Sequence, residues 1–237
     1  LVQALVRRNE PEPVSESMGA CLVQGLNNWD RVEKLRAHWE SGCPEDRSES
    51  AWHAHFRTLV PRKELYQDRL VILSQGPYSN IPASALGLDE AEWLKISLAI
   101  RLEHECTHYF TYRALGSARN NLFDELLCDY MGITAATGRY SATWFLKFLG
   151  LEDFPTVRAD GRVHLYRGKP PLPDAAFAIQ QRLTVRAAHN LEAIDRQYAA
   201  GRERIFVLLA ASHLSLEELA SEDALPLFEQ VWDFRHP

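Results

Sequence analysis

Apolar and polar positions alternate along the chain in a series of helical periods, separated by short connectors rich in Pro, Ser and Gly. After a polar stretch at residues 7–17, the pattern predicts helices over residues 29–40 and 50–59, divided by the breaker Ser41-Gly42-Cys43-Pro44. The compact apolar run from Arg69 to Ser74, closed by Gln75-Gly76-Pro77, predicts a short strand. Asp89 stands three residues before Glu92 in the manner of a capping box, and nothing breaks the helical period from there to Leu115, where Gly116 can end it. A second helix is expected from Asn120 or Asn121 to Thr137 with Gly138 as its stop, and a third from Ser141 to Leu149.

Residues Gly161 to Gly168 read as a strand or hairpin arm, and Lys169-Pro170-Pro171-Leu172-Pro173-Asp174 as an internal boundary. Beyond it the pattern predicts a long helix over 174–199 and an apolar one over 203–213. Two short helices should follow, opened by Ser215 (with Glu218) and by Ser221. The fold class expected is α+β, predominantly helical. Three segments are expected, packed into one compact unit: a helical one over 1–60, a central one over 61–168 and a helical one over 169–237.

Composition narrows the class. The 237 residues are 46% apolar and 24% charged, the balance of a globular chain, which excludes disordered, collagenous and disulfide-scaffold proteins. A chain of this length buries roughly 70% of its unfolded surface without a staple. Lys and Arg number 26 against 32 Asp and Glu, with no basic cluster, so nucleic acid is not an expected partner. No apolar run approaches the ~20 residues that span a bilayer, and the first residues lack a signal-peptide layout. No membrane partner and a cytoplasmic location are therefore expected. Cys21, Cys43, Cys106 and Cys128 form no Cys-x-x-Cys pair and read as reduced, buried thiols, with Cys106 in the core.

The chemistry concentrates in His104-Glu105-Cys106-Thr107-His108. Two imidazoles four residues apart stand one turn apart on one helix face, where both can reach one metal ion at about 2.0–2.1 Å. The glutamate between them is placed to take a proton from water at an open coordination position. At 100° per residue, Ser97, Arg101, His104, Glu105, His108, Thr111 and Tyr112 fall in one polar stripe about 120° wide, opposite Ala99, Leu102, Cys106, Tyr109 and Phe110. The stripe is expected to line a cleft, with the apolar side in the core. On the second helix Glu125 and Asp129 share a face with Gly132 and Ala136, so that face can pack close to a neighbour. An antiparallel return would bring Glu125 level with the histidines.

The sequence His104-Glu105-x-x-His108 followed by Glu125-x-x-x-Asp129 resembles the gluzincin class of zinc metallopeptidases, the thermolysin-like ones in particular. The resemblance spans residues 89–138. It implies one zinc ion on His104, His108 and Glu125, Glu105 as general base, Asp129 orienting a ligand histidine, and a peptide or protein substrate. It also implies a zincin-like core with a short strand region packed on the metal-bearing helix. The third histidine of metzincin spacing is absent, since Ala114 occupies that position. Arg101 and Tyr112 are candidate substrate contacts, and His164, Tyr166, His189 and Tyr198 are candidate oxyanion donors. The competing readings are a zinc-stabilised binding or regulatory module without catalysis, and a helical scaffold without metal.

Overall fold

The structure is a computed structural model that describes residues 2–9, 18–42, 45–116, 121–199 and 204–235. In chain order its elements are α1 (Val2–Asn9), β1 (Ala20–Asn27), α2 (Trp29–Ser41), α3 (Glu49–Leu59), β2 (Gln67–Leu73), α4 (Glu90–Leu115) and α5 (Leu122–Thr137). They continue with α6 (Ala142–Leu149), α7 (Asp174–Tyr198), α8 (Arg204–Ala211), α9 (Leu216–Leu219) and α10 (Ala224–Arg235). The fold is α+β and predominantly helical, with one two-stranded sheet of β1 and β2 among the described residues. No helix of the described residues is long and apolar enough to cross a membrane.

The chain forms two compact units, one of Ala20–Ile72 and one of Leu1–Gly19 with Leu73–Pro237. The divisions expected at 60 and 168 are not where these units part. The central and C-terminal segments share one unit, because the side chains of α4 to α10 contribute to one continuous apolar cluster, Trp93, Ile100, Tyr130, Phe145, Leu191 and Phe228 among them. The smaller unit is organised around Asn28, which caps α2 through Arg31 N and donates its side-chain amide to Asp68 at 2.7 Å. An aromatic group of Trp39, Trp52, Phe56 and Tyr66 packs beside it. The strand β1 was not expected, since the apolar run Ala20–Val23 is four residues long and Gly25, at φ 78°, interrupts any alternation. Pairing with β2, some forty residues on, makes it a strand.

In the larger unit the predicted caps form. Asp89 accepts from Glu92 N at 2.6 Å, Gly116 ends α4 in the left-handed region at φ 66°, Asn121 caps α5, and Gly138 ends it at φ 87°. Asn120, the other predicted start, lies outside the described residues. The strand expected at 161–168 is instead a 3-10 turn over Arg162–Tyr166. Its alternation carried only Val163 and Leu165 as apolar positions, and the turn buries Val163 while Leu165 is exposed.

No other pair of described elements packs as extensively as α4 and α5. Gly132 makes this possible, because a Cβ there would stand 2.7 Å from the Ile100 carbonyl oxygen. Alanine ordinarily favours a helix interior over glycine by about 1 kcal/mol. Here the collision is with backbone that cannot rotate away, so Gly132→Ala is expected to destabilise by about 1–3 kcal/mol. Denaturant unfolding followed by circular dichroism checks this, and a stabilised variant would refute the close approach.

The buried face of α4 is the reverse of the one expected. Ser97, Arg101, His104 and Thr107 are buried, while Leu102 is 49% exposed and Cys106, expected in the core, is exposed as well. The polar stripe is internal because every partner it needs is supplied by the fold. Arg101 donates to the carbonyls of Ser74, Gly76 and Pro77 at 2.8, 3.2 and 3.3 Å, and Ser97 Oγ accepts from Tyr78 N at 3.0 Å. Polar groups satisfied this way carry little burial penalty.

Candidate metal centre

The close packing of α4 on α5 sets two imidazoles against one carboxylate. His104 Nε2 and His108 Nε2 are 3.1 Å apart, Glu125 Oε1 lies 3.4 Å from His108 Nε2, and Glu125 Oε2 lies 3.6 Å from His104 Nε2. Donors around a tetrahedral zinc ion at 2.0–2.1 Å stand about 3.3 Å from one another. The two imidazole nitrogens and the carboxylate beside them stand close to that separation, one Glu125 oxygen facing each ring, and two nitrogens and a carboxylate are donors of a type that zinc takes.

A hydrogen-bonded frame fixes one of the rings. His104 Nδ1 lies 2.7 Å from Asp129 Oδ1 and 2.9 Å from the Tyr78 hydroxyl, which itself donates to Asp129. With its Nδ1 proton given to Asp129, His104 turns the Nε2 lone pair toward His108 and Glu125. Arg162 completes the frame. Its guanidinium pairs with Asp129 Oδ2, donates to the Tyr78 hydroxyl at 3.2 Å, and stands 3.8 Å from Glu125 Oε2.

Burial opposes charge on Glu125, Asp129 and His104, and their partners overcome it. Burial raises the Glu125 carboxyl, but the His108 hydrogen bond and the charges of His104 and Arg162 bring it far below the ordinary range. Asp129 is likewise lowered against its burial, by Arg162 and His104. Burial would lower His104, yet the charge and hydrogen bond of Asp129 raise it. Two buried carboxylates thus face the Arg162 guanidinium and the His104 imidazole.

The other expected residues divide. Glu105 is partly buried, and its charge acts on both Arg101 and His104. Tyr166 adjoins Glu125, and burial together with that carboxylate keeps its phenol protonated against the opposing pull of Arg162. Arg101 is buried, with Nη1 and Nη2 donating to the carbonyls of Ser74, Gly76 and Pro77. Tyr112 is 53% exposed at the far end of the stripe. His164 is exposed and turns to the Arg158 carbonyl at 3.2 Å, away from the donors, and His189 is exposed on α7. Tyr198 donates to Glu229 at 2.7 Å and packs on Phe228 and Trp232.

Three members of the centre were not legible as such. Tyr78 follows a Gly-Pro turn, and Arg162 sits in a segment read as a strand. Cys128, read only as a buried thiol, has its sulfur within 4.8 Å of a ring nitrogen of each of His104 and His108. Its helical offset of three from Glu125 was the one available signal. A cavity of about 570 Å³ begins at Thr111, one turn along α4 from His108, and is bordered by Phe123, Asp124, Gln180, Ser212 and Glu217.

No curated protein and no solved structure matches the chain. Residues 1–223 match the model of the Family of unknown function (DUF7005), and the chain belongs to that family.

Proposed function

We propose that His104, His108 and Glu125 bind one zinc ion and that the centre hydrolyses a peptide or amide bond with Glu105 as general base. The observation that carries this reading is the convergence of two imidazole nitrogens, 3.1 Å apart, on the Glu125 carboxylate, whose two oxygens stand 3.4 Å from His108 and 3.6 Å from His104. Two imidazoles and a carboxylate form the donor set of an open, catalytic zinc centre. Bound there, zinc would polarise a carbonyl oxygen and bring the loss of a water proton into the neutral range.

The side chains of the protein do the remaining work. Glu105 follows His104 and lies about 100° around α4 from it, beside the donors and not among them. From there its carboxylate takes a proton from the attacking water and delivers it to the departing amine. Asp129, held by Arg162 and Tyr78, keeps the His104 ring oriented. Tyr166, protonated beside Glu125, supplies a neutral O–H donor suited to an oxygen that gains negative charge. On this reading the larger unit is a zincin-like core, and a peptide or protein substrate enters by the cavity that begins at Thr111.

Glu105→Gln keeps size and polarity but removes the base. It is expected to retain zinc and fold while hydrolysis of a mixed peptide library falls about 10²-fold or more at equal zinc content. Equal rates, or no cleavage by the zinc-loaded wild type, would overturn the catalytic reading. The position of Cys128 favours a second reading, a zinc-stabilised module whose fourth protein ligand closes the centre.

A further inference from the structure

Cys128 is 1% exposed on α5, and its sulfur lies within 4.8 Å of a ring nitrogen of each histidine. Sulfur and nitrogen donors on one tetrahedral zinc ion stand about 3.6 Å apart, from bond lengths of about 2.3 and 2.0–2.1 Å. The gap is therefore about 1 Å, and one step between staggered χ1 rotamers carries a cysteine sulfur about 3 Å. The other half of the centre is in place, since the Glu125 carboxylate one turn earlier on the same helix already meets both imidazoles at 3.4 and 3.6 Å.

We propose that Cys128 is a fourth protein ligand that closes the resting metal centre, and that withdrawal of its sulfur opens the position needed for hydrolysis. The inference rests on the assignment of His104, His108 and Glu125 as metal ligands and adds a means of regulating that site. Coordination exchanges the S–H bond for a sulfur–metal bond and releases the proton to solvent. In the closed state four protein donors fill the tetrahedron, and Glu105 has no substrate water to act on. Rotation of the sulfur away from the ion, with water taking its place, restores the three-ligand centre, so access to the site follows a single side-chain rotation within a packed helix pair.

Cobalt(II) in place of zinc reports a thiolate ligand directly, through a sulfur-to-cobalt charge-transfer band. The full chain loaded with one equivalent of Co²⁺ is expected to show that band. The band should persist in Cys106→Ser, whose sulfur is exposed, and vanish in Cys128→Ser while bound cobalt stays at one per chain. Bound cobalt in the wild type without the band would overturn the role of Cys128 and leave the three-ligand centre standing. A band that survives in Cys128→Ser would also overturn it. Failure of the wild type to bind cobalt or zinc at all would overturn the metal centre itself. If the Cys128→Ser protein folds poorly, the same assignment is read from a triple variant Cys21→Ser, Cys43→Ser, Cys106→Ser, in which Cys128 is the one remaining thiol: the band must persist there, and its loss with cobalt still bound would overturn the role of Cys128.

Discussion

The protein saturated with zinc and freed of excess metal is expected to carry one zinc ion per chain, and His104→Ala or His108→Ala to carry none. The expectation follows from donor geometry. Two imidazole nitrogens 3.1 Å apart, each facing one oxygen of the Glu125 carboxylate at 3.4 and 3.6 Å, can bind one ion together, and removing an imidazole leaves a two-point contact. The same convergence predicts a stability signature, since an ion that binds the folded chain and not the unfolded one stabilises it by about 2.7 kcal/mol at a hundredfold excess over Kd. Zinc should therefore raise the melting temperature of the wild type and not that of either variant. Metal analysis by mass spectrometry, paired with thermal denaturation, is the measurement. Full zinc occupancy in both histidine variants would remove the assignment.

Arg162→Leu is expected to destabilise the larger unit by about 3–5 kcal/mol, the scale of a buried ion pair broken on one side. The guanidinium is the cation that pairs with Asp129 and stands 3.8 Å from Glu125, and both carboxylates are buried. Leucine fills much of the volume but leaves two negative charges facing only the imidazoles of His104 and His108. Because both carboxyls are held below their ordinary range in the folded protein, their stabilising contribution is complete at neutral pH. It is lost as pH falls below the unfolded values of about 4. The deficit of the variant should accordingly be largest near pH 7 and narrow on acidification. Urea unfolding at pH 7 and pH 4 tests both statements, and a deficit under about 1 kcal/mol at pH 7 would show that Arg162 is not what compensates the pair. Zinc should recover part of the loss, since a divalent cation bound by Glu125 would offset the charge of one of the two carboxylates.

Local chemistry is what the sequence by itself determined. The ends of α4 and α5 were legible because caps act within four residues: Asp89 and Asn121 supply acceptors to the first free N–H groups, and Gly116 and Gly138 adopt the left-handed conformation that ends each helix. The histidine pair was legible because a spacing of four is a property of one helix. Glu125 could be placed opposite it because a short connection between antiparallel helices leaves little freedom of height. Gly132 marked the face that approaches α4, and a Cβ there would reach the Ile100 carbonyl.

What the tertiary structure alone decided is which side of α4 is buried and what surrounds the histidines. Periodicity ranks faces by apolar content and so placed Leu102 and Cys106 inside. The fold buries Ser97, Arg101 and His104 instead, because the carbonyls of 74–77 and the carboxylate of Asp129 satisfy them. Such satisfaction depends on partners distant in sequence, and a single helix carries no trace of it. Tyr78 stands 26 positions before His104, and Arg162 stands 33 after Asp129. Each reaches the centre from an irregular segment whose course is set by packing, with no period to reveal it. The strand β1 belongs to the same class, since its four-residue apolar run becomes a strand only when β2 supplies the hydrogen bonds. Caps and spacings are encoded where they act, whereas the charge balance of a buried centre is settled only when the helices meet.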